Sequence, residues 1–193
     1  HSGSFQLYCI GGRNEDDENI SSVSKLNTTN KEWTSSSALS ISQSSFGATV
    51  IDKRIYICGG LTDKDSKEFK VFDCESNIWK ELASMPSERS QFGMTTLNGI
   101  IFVAGGHVGS TPLSSVSKYS PQTNTWTEVK AMNETRNGLE LVNLNDTIYA
   151  IGGCGTKTVE RYNPFTGEWS YVASTHNEHA WFGSTLHQNK IYI

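Results

Sequence analysis

Pairs of glycines recur along the chain at an almost constant spacing, and this periodicity constrains the fold more than any other feature. The pairs are separated by 48, 46 and 47 residues in a chain of 193 residues. A repeat of this length indicates several copies of one supersecondary unit. The four pairs are Gly11 and Gly12, Gly59 and Gly60, Gly105 and Gly106, and Gly152 and Gly153.

Two further markers keep the same period. Four of the five tryptophans follow the glycine pairs in step, and each stands seven residues after a large residue, namely Leu26, Phe72, Tyr119 or Tyr162. A short apolar run also precedes every glycine pair. Coincident markers on one period show that this is a repeat protein. The four tryptophans are Trp33, Trp79, Trp126 and Trp169.

The third unit shows what each repeat contains. Apolar segments at 92–97 and 100–104 flank Asn98 and Gly99, a pair that favours a two-residue β-hairpin because both residues tolerate positive φ. Two more strands are predicted at 115–119 and 125–129. Helical periodicity is absent, so we expect four antiparallel strands, a to d, in each unit and an all-β fold.

A sheet of four short strands cannot bury both faces alone. Radial stacking of such sheets around a channel solves this problem, as in β-propellers. The glycine pair at the end of strand b would supply positive φ and allow a close approach to a neighbouring strand. Each repeat tryptophan would pack between adjacent sheets, where its truncation typically costs about 3–5 kcal/mol.

The spacing of glycine pair, aromatic residue and tryptophan resembles the kelch repeat. The third unit matches best, with 101–106 followed by 116–119 and 124–126, and the resemblance covers residues 5–193. The sequence is more similar to the kelch half of BTB–kelch proteins than to the kelch domains of oxidases. It departs from the family where Leu26 and Asn27 replace the usual Tyr-Asp, and in the loops after the glycine pairs.

Kelch rings usually have about six blades, so the resemblance implies that residues 1–193 form one partial propeller, an incomplete arc of a six-bladed ring. Sheets at the ends of an arc would be exposed, which makes self-association possible. The expected blades cover approximately 5–40 (strands b to d), 43–86, 89–132, 136–175 and 179–193 (strands a and b).

The resemblance also implies a partner surface. In kelch propellers related to ubiquitin-ligase adaptors, the b–c and d–a loops at one end of the channel bind the partner. Carried over by position, the b–c candidates are Arg13, Leu61, His107 and Cys154. The channel-facing positions before strand a fall on Ser44, Ser90, Asn137 and Ala180, and Gln43, Arg89, Arg136 and His179 precede them.

Arg89 and Arg136 are the strongest candidates for partner contact in this set. Their guanidinium groups could form bidentate contacts with a carboxylate, which favours an acidic or extended partner segment. The alternative is that both arginines brace the loop turns inside the propeller. An acidic run at 15–18 could attract a basic partner, although a solvated loop tip is the simpler interpretation.

The resemblance implies a non-enzymatic protein-interaction module without a cofactor. Its expected role is substrate recognition in a BTB–kelch adaptor of a cullin-type E3 ubiquitin ligase, in the cytoplasm. The alternative is an actin-binding, cytoskeleton-associated kelch protein. A formal net charge of −4 and apolar runs of about five residues argue against nucleic acid and membranes as partners.

The cysteines and histidines offer little support for metal or redox chemistry. No CxxC pair occurs among the four cysteines, so we expect free thiols in a reducing compartment. Cys9 and Cys58 lie in apolar strands, which leaves Cys154 as the exposed thiol, either a reactive sensor or an incidental loop residue. His176 and His179 lack a helix that would align them on a metal, and 63–68 lacks the glycine of a calcium loop.

Overall fold

The computed structural model describes residues 6–193, which form β-strands and no helix within this range. The strands are β1 (Gln6–Ile10), β2 (Val23–Asn27), β3 (Glu32–Ser35), β4 (Gly47–Ile51), β5 (Arg54–Cys58), β6 (Phe69–Asp73), β7 (Ile78–Glu81), β8 (Gly93–Leu97), β9 (Ile100–Ala104), β10 (His107–Val108), β11 (Thr111–Pro112), β12 (Val116–Ser120), β13 (Thr125–Val129), β14 (Glu140–Leu144), β15 (Thr147–Ile151), β16 (Val159–Asn163), β17 (Glu168–Val172), β18 (Thr185–His187) and β19 (Lys190–Tyr192).

The strands form successive antiparallel sheets, which we call blades. Blade 1 contains β1 to β3, blade 2 contains β4 to β7, blade 3 contains β8, β9, β12 and β13, and blade 4 contains β14 to β17. A final hairpin pairs β18 with β19. The predicted all-β class with four-stranded antiparallel blades is confirmed. Across residues 6–193 the blades form an open series and do not close into a ring.

The a–b hairpin of blade 3 uses the turn residues that the sequence predicts. Leu97 pairs with Ile100 across the turn between β8 and β9, and Asn98 and Gly99 have φ values of 51° and 74°. Both central residues are therefore left-handed, which matches the right-handed twist of the flanking strands. This turn fixes the register of strands a and b in blade 3.

Apolar cores lie between neighbouring blades. The core between blades 3 and 4 includes Phe102, Tyr162 and Trp169, which are all at least 94% buried. Similar clusters join blade 1 to blade 2, blade 2 to blade 3, and blade 4 to the final hairpin. Consecutive sheets thus bury the faces that they turn towards each other, as expected for radially stacked blades.

The repeat tryptophans join consecutive blades through a polar contact. In blade 2 the indole N–H of Trp79 donates to the carbonyl oxygen of Ser37, which follows blade 1, at 2.8 Å. The indole N–H groups of Trp126 and Trp169 make the equivalent contacts at 2.7 and 3.0 Å. Trp33 is the exception: it is 52% exposed. Packing of Trp33 between sheets was wrongly predicted, because no sheet precedes blade 1 within the described residues.

The glycine pairs mark the closest approach of one blade to the next. A Cβ atom on Gly105 would lie 2.4 Å from the backbone oxygen of Arg136, closer than a side chain can come. Gly106 donates its N–H to that same oxygen at 2.7 Å. The φ values of the pair are 67° and 85°, so glycine is required both by backbone conformation and by space. The other pairs approach the backbone oxygens of Gln43, Arg89 and His179 in the same way.

One element was not predicted from the sequence. The b–c loop of blade 3 contains a short ribbon in which His107 pairs with Pro112 and Val108 pairs with Thr111. Strands of two residues carry no detectable periodicity. The ribbon nevertheless positions His107, one of the predicted partner-binding residues, at the end of the blade.

Candidate protein-interaction face

The predicted partner-binding residues lie in two sets of loops at one end of the blades. In an antiparallel sheet, successive connections alternate between the two ends, so the b–c and d–a loops share an end. We call this end the loop face. It consists of the b–c loops 11–22, 59–68, 105–115 and 152–158 and the d–a loops 36–46, 82–92, 130–139 and 173–184.

Backbone contacts bring the predicted b–c and d–a positions together within each blade. Ser90 forms an isolated antiparallel bridge with His107, and Ser44 forms one with Leu61. In blade 4, Cys154 donates its N–H to the backbone oxygen of Asn137 at 2.8 Å. The two loops of a blade are therefore held side by side.

A second ladder of backbone contacts links one blade to the next. Gln91 donates its N–H to the oxygen of Ser45 at 3.1 Å, Gly138 donates to Gln91 at 2.7 Å, and Trp181 donates to Gly138 at 2.9 Å. All four residues have positive φ, between 52° and 68°. Left-handed backbone is costly for serine, glutamine and tryptophan, and such strain clusters at binding sites.

The two arginines predicted to meet a partner lie in the interior. The Arg89 and Arg136 side chains are at most 1% exposed. Arg89 donates to the backbone oxygens of Gly105 and Ser115 at 3.1 and 3.2 Å. This burial argues against contact with a partner's carboxylate and supports the bracing alternative. It also removes the reason for expecting an acidic partner.

Gln43, the counterpart of the two arginines before blade 2, is also buried, and its backbone oxygen accepts the N–H of Gly12. His179, the counterpart after blade 4, is half-buried. Its ring meets that of Phe182 edge-on, with the centroids 5.7 Å apart. Ala180 is half-buried beside it. Of these four positions, His179 therefore offers the most accessible polar group.

Arg13 lies on the exposed part of the loop face. Its guanidinium is 2.7 Å from the carboxylate of Asp17, and its Nε donates to the Ser44 hydroxyl at 3.4 Å. The acidic run at 15–18 is exposed. An ion pair at this exposure contributes little to stability, typically below about 1 kcal/mol. The run is therefore a solvated loop tip with Arg13 partly neutralised.

Asp65 lies on the loop face but was not among the residues predicted from the sequence to bind a partner. Its carboxylate accepts the hydroxyl of Ser90 at 2.6 Å and the backbone N–H of Gly109 at 2.6 Å. The His107 Nε2 atom lies 3.2 Å from the same hydroxyl. Because the Ser90 hydroxyl bonds directly to the carboxylate and Ser90 is 1% exposed, the three residues fasten adjacent loops.

Trp181 is the largest exposed aromatic side chain on the loop face. It is 68% exposed, its indole N–H donates to the side-chain oxygen of Gln91 at 3.0 Å, and its ring lies 3.0 Å from the place of a Cβ on Gly138. One side-chain hydrogen bond, the backbone hydrogen bond to Gly138 and the close approach of Gly138 to the ring hold Trp181 in one orientation. We call Gly138, on which the ring lies, the Gly138 platform. The sequence could have indicated Trp181 as a candidate, since it is the one tryptophan of five that falls outside the repeat.

A depression of about 290 Å³ lies on the same face. It is bounded on one side by the β10–β11 ribbon and on the other by Asn137, which precedes the Gly138 platform. Polar groups and short side chains dominate its walls. The lining residues are His107, Gly109, Ser110, Pro112 and Asn137.

The cysteines differ from expectation at one position. All four are free. Cys154 is exposed, as expected, but Cys9 is exposed too, because nothing within the described residues covers its face of blade 1. Burial raises the pKa of the Cys58 thiol far above its ordinary value, which makes it inert. The pKa of Cys74 is also raised, mainly by burial.

Residues 6–193 contain neither a cluster of metal-ligating side chains nor a membrane-spanning helix. No group of three or more potential metal-ligating side chains converges in this part of the chain. The same residues contain no helix with the length and hydrophobicity needed to cross a bilayer.

The fold and the loop face define a class: stacked four-stranded blades, joined at glycine pairs and presenting loops at one end, are kelch-type propeller blades. The sequence matches the family described as the KLHDC2/KLHL20/DRC7 Kelch-repeats domain over residues 2–193. The chain therefore belongs to the kelch-repeat family.

Individual relatives are similar over part of the chain. Kelch-like protein 40 of Mus musculus is 35% identical over 101 residues, which is 52% of this chain and 16% of the relative. Kelch-like protein 35 of Mus musculus is 30% identical over 61% of this chain and 20% of the relative. The F-box/kelch-repeat protein At4g39580 of Arabidopsis thaliana is 34% identical over 44% of this chain and 23% of the relative.

The aligned segments thus span less than a quarter of the length of these relatives. Kelch-repeat domains are generally non-enzymatic protein-interaction folds. Membership of the family makes this chain a protein-interaction module at that level of description.

Proposed function

We propose that the loop face binds an extended segment of a protein partner, with Trp181 as the central contact. The observation that carries this proposal is the rigid exposure of Trp181, which is 68% accessible yet hydrogen-bonded to Gln91 and Gly138. Tryptophan is enriched among the residues that dominate binding energy. A side chain that is already ordered loses little entropy on binding.

The surroundings of Trp181 supply polar contacts for the backbone of such a segment. The depression beside it exposes His107 and Asn137, which contain both hydrogen-bond donors and acceptors. Cys154 and His179 lie in the flanking loops, and Arg13 lies further along the face, whereas Ser44 is buried and accepts the Nε–H of Arg13. Arg89, Ser90 and Arg136 support these loops from inside and are left out of the contact surface.

The test compares two exposed aromatic residues at opposite ends of blade 4. Phe165 is 95% exposed in the c–d turn, away from the loop face, so Phe165→Ser is the matched control for Trp181→Ser. Partners captured by the wild-type chain would be quantified by mass spectrometry, and the affinity of each would be measured with purified protein. We expect Trp181→Ser to weaken binding at least about 30-fold, the loss typical of a dominant interface residue.

Retention of full affinity by Trp181→Ser, or an equal loss in Phe165→Ser, would contradict the proposed face. His107→Ala provides a second, smaller probe. It removes a ring that borders the depression, and Ser90 keeps its short bond to Asp65. Circular dichroism and thermal unfolding of each variant separate loss of contact from loss of fold.

We further propose that the whole protein acts as the substrate-recognition part of a BTB–kelch adaptor for a cullin-type E3 ubiquitin ligase. Support comes from the similarity to Kelch-like proteins. Co-recovery of a cullin with the full-length protein, and partner ubiquitination that depends on Trp181, would test it. Pelleting with actin filaments without cullin recovery would instead favour the cytoskeletal alternative.

Cytoplasmic location and self-association are also proposals. Imaging of the tagged full-length protein checks the first. The second is supported by the exposure of Leu7 and Trp33 on blade 1, both more than half accessible. Sedimentation velocity at increasing concentration checks it, and a constant sedimentation coefficient would contradict it.

A further inference from the structure

Two arginines occupy the same pose in consecutive blades. The Nη1 atom of Arg136 donates to the backbone oxygens of Gly152 and Thr158 at 2.8 and 2.9 Å. The Nη1 atom of Arg89 makes the equivalent bonds to Gly105 and Ser115 at 3.1 and 3.2 Å. Because each guanidinium is fixed on the carbonyl groups of its own blade, its Nε–H points to the same place in both blades.

In blade 4 that place holds a carboxylate. Glu160, on β16, is fully buried and accepts the Nε–H of Arg136 at 3.2 Å. It also accepts the backbone N–H of Asn133 at 2.7 Å and that of Glu134 at 3.3 Å. A buried cation is thus paired with a buried anion that has several further donors, the arrangement such a charge requires.

In blade 3 the carboxylate is missing from the corresponding position. Glu160 pairs with Ala150, two residues before a glycine pair, and Ser117 pairs with Val103, also two residues before one. Ser117 therefore stands where Glu160 stands in the next blade. Its side chain lacks the second methylene and ends in a hydroxyl in place of the carboxylate, so Arg89 has no counterpart of the bond that Arg136 makes to Glu160.

Two polar groups at this position in blade 3 lack a partner. The Nε atom of Arg89 and the hydroxyl of Ser117 are buried and accept or donate no hydrogen bond within the described residues. Arg89 also forms no ion pair in this part of the chain. Glu128, the cross-strand neighbour of Ser117, is exposed. A buried charge without compensation is costly, and burial accordingly lowers the pKa of Arg89.

We propose that a small monovalent anion, such as chloride, binds in blade 3 between the Nε–H of Arg89 and the hydroxyl of Ser117, where the Glu160 carboxylate lies in blade 4. Water would satisfy the donors, but only an anion also compensates the charge. Among blades 2 to 4 of the described residues, the site is specific to blade 3. In blade 2 the equivalent of Ser117 is Lys70, which bonds to Ser40 and Glu68.

The first test is the chloride dependence of thermal unfolding. The chain would be melted in 10 and 200 mM chloride, with gluconate holding the ionic strength constant. Since a ligand that binds only the folded state raises its stability, we expect Tm to rise by about 3 °C. Arg89→Gln should abolish the rise, and Arg54→Gln, an exposed arginine on β5, should retain it.

Ser117→Glu supplies the missing carboxylate from the chain itself. We expect it to raise Tm at low chloride and to remove the chloride dependence. A chloride response that survives in Arg89→Gln, or a wild-type Tm that is independent of chloride, would overturn the proposal.

The second test does not depend on how the variants fold. Crystals of the wild-type chain grown with bromide should show an anomalous peak within hydrogen-bond distance of Arg89 Nε and Ser117 Oγ. Density there without an anomalous signal would identify water and overturn the proposal.

Discussion

Blades 3 and 4 each contain a buried arginine in the same pose, but the charges beside the two arginines differ. In each, a fully buried arginine joins the end of strand b to the loop before strand c through two backbone oxygens. Arg136 has a buried carboxylate beside it, and Arg89 has a serine. The shared pose with different neighbours indicates that the backbone carbonyls set the position of the guanidinium, and that the neighbours set its electrostatic cost.

Blade 2 extends this comparison to a neutral side chain. Gln43 takes the place of the arginines, and its backbone oxygen still accepts the N–H of Gly12 at 2.9 Å, as that of Arg89 accepts the N–H of Gly60. The contact between blades therefore depends on the main chain. The side chain at this position adds a brace within its own blade, and this brace varies along the repeat.

The largest expected effect is the loss of the carboxylate in blade 4. Glu160→Gln preserves the shape of the side chain but leaves Arg136 without its buried counter-ion. Removal of one partner from a buried ion pair typically destabilises a protein by about 3–5 kcal/mol. Urea denaturation monitored by tryptophan fluorescence would measure the free energy of unfolding.

Glu168→Gln is the matched control for this change. Glu168 forms an ion pair with Lys130 at 2.7 Å, but both side chains are more than half exposed. Exposed pairs contribute at most about 1 kcal/mol. Equal losses in the two variants would show that burial does not distinguish the two ion pairs and would contradict the comparison between blades.

A smaller effect is expected for the arginine of blade 3. Arg89→Gln removes several hydrogen bonds but also an unpaired buried charge, and glutamine already occupies this position in blade 2. We expect a loss of about 1–2 kcal/mol in low chloride. Arg136→Gln should cost more, because it leaves the buried Glu160 carboxylate without its cation. Denaturation of the two variants in parallel would reveal the difference, and the reverse order would refute this account.

The sequence alone predicts the repeat, the hairpin turns and the need for glycine, because these follow from backbone geometry at fixed spacing. It does not predict that Arg89 and Arg136 are buried, since arginine is mostly exposed in proteins. Only the three-dimensional approach of the backbone oxygens of Gly105 and Gly152 to the guanidinium groups explains their burial.

The exposure of individual side chains was harder to predict than the fold. Trp181 lies outside the repeat pattern, and its exposure depends on the Gly138 platform from another blade. Cys9 follows an apolar alternation, yet it is exposed because burial depends on the neighbouring sheet as well as on the strand. Such properties belong to contacts between repeats, which a pattern within one repeat does not encode.

The smallest effect is expected for Glu134. A serine takes its place in blade 3, so the contribution of this position to stability should depend on pH only in blade 4. The Glu134 carboxylate accepts the Thr158 hydroxyl at 2.6 Å and lies 3.4 Å from Arg136. The hydrogen bond from Thr158 is the main reason that its pKa is lowered from the ordinary value of 4.5. The unfolded chain therefore takes up this proton at higher pH than the folded chain, and the stabilisation by Glu134 is lost as the pH falls.

Glu134→Gln should therefore cost up to about 1 kcal/mol at pH 7, because the side chain is one-third exposed. The cost should be constant above the unfolded pKa and should shrink as the pH falls through the lower pKa of the folded state. Ser87, whose hydroxyl accepts from Arg89 at 2.9 Å, is the counterpart in blade 3. Ser87→Ala should cost a similar amount at every pH, because a hydroxyl does not titrate in this range. Denaturation at pH 7 and pH 3 would compare them, and a Glu134→Gln cost that grows on acidification would reverse the assigned sign.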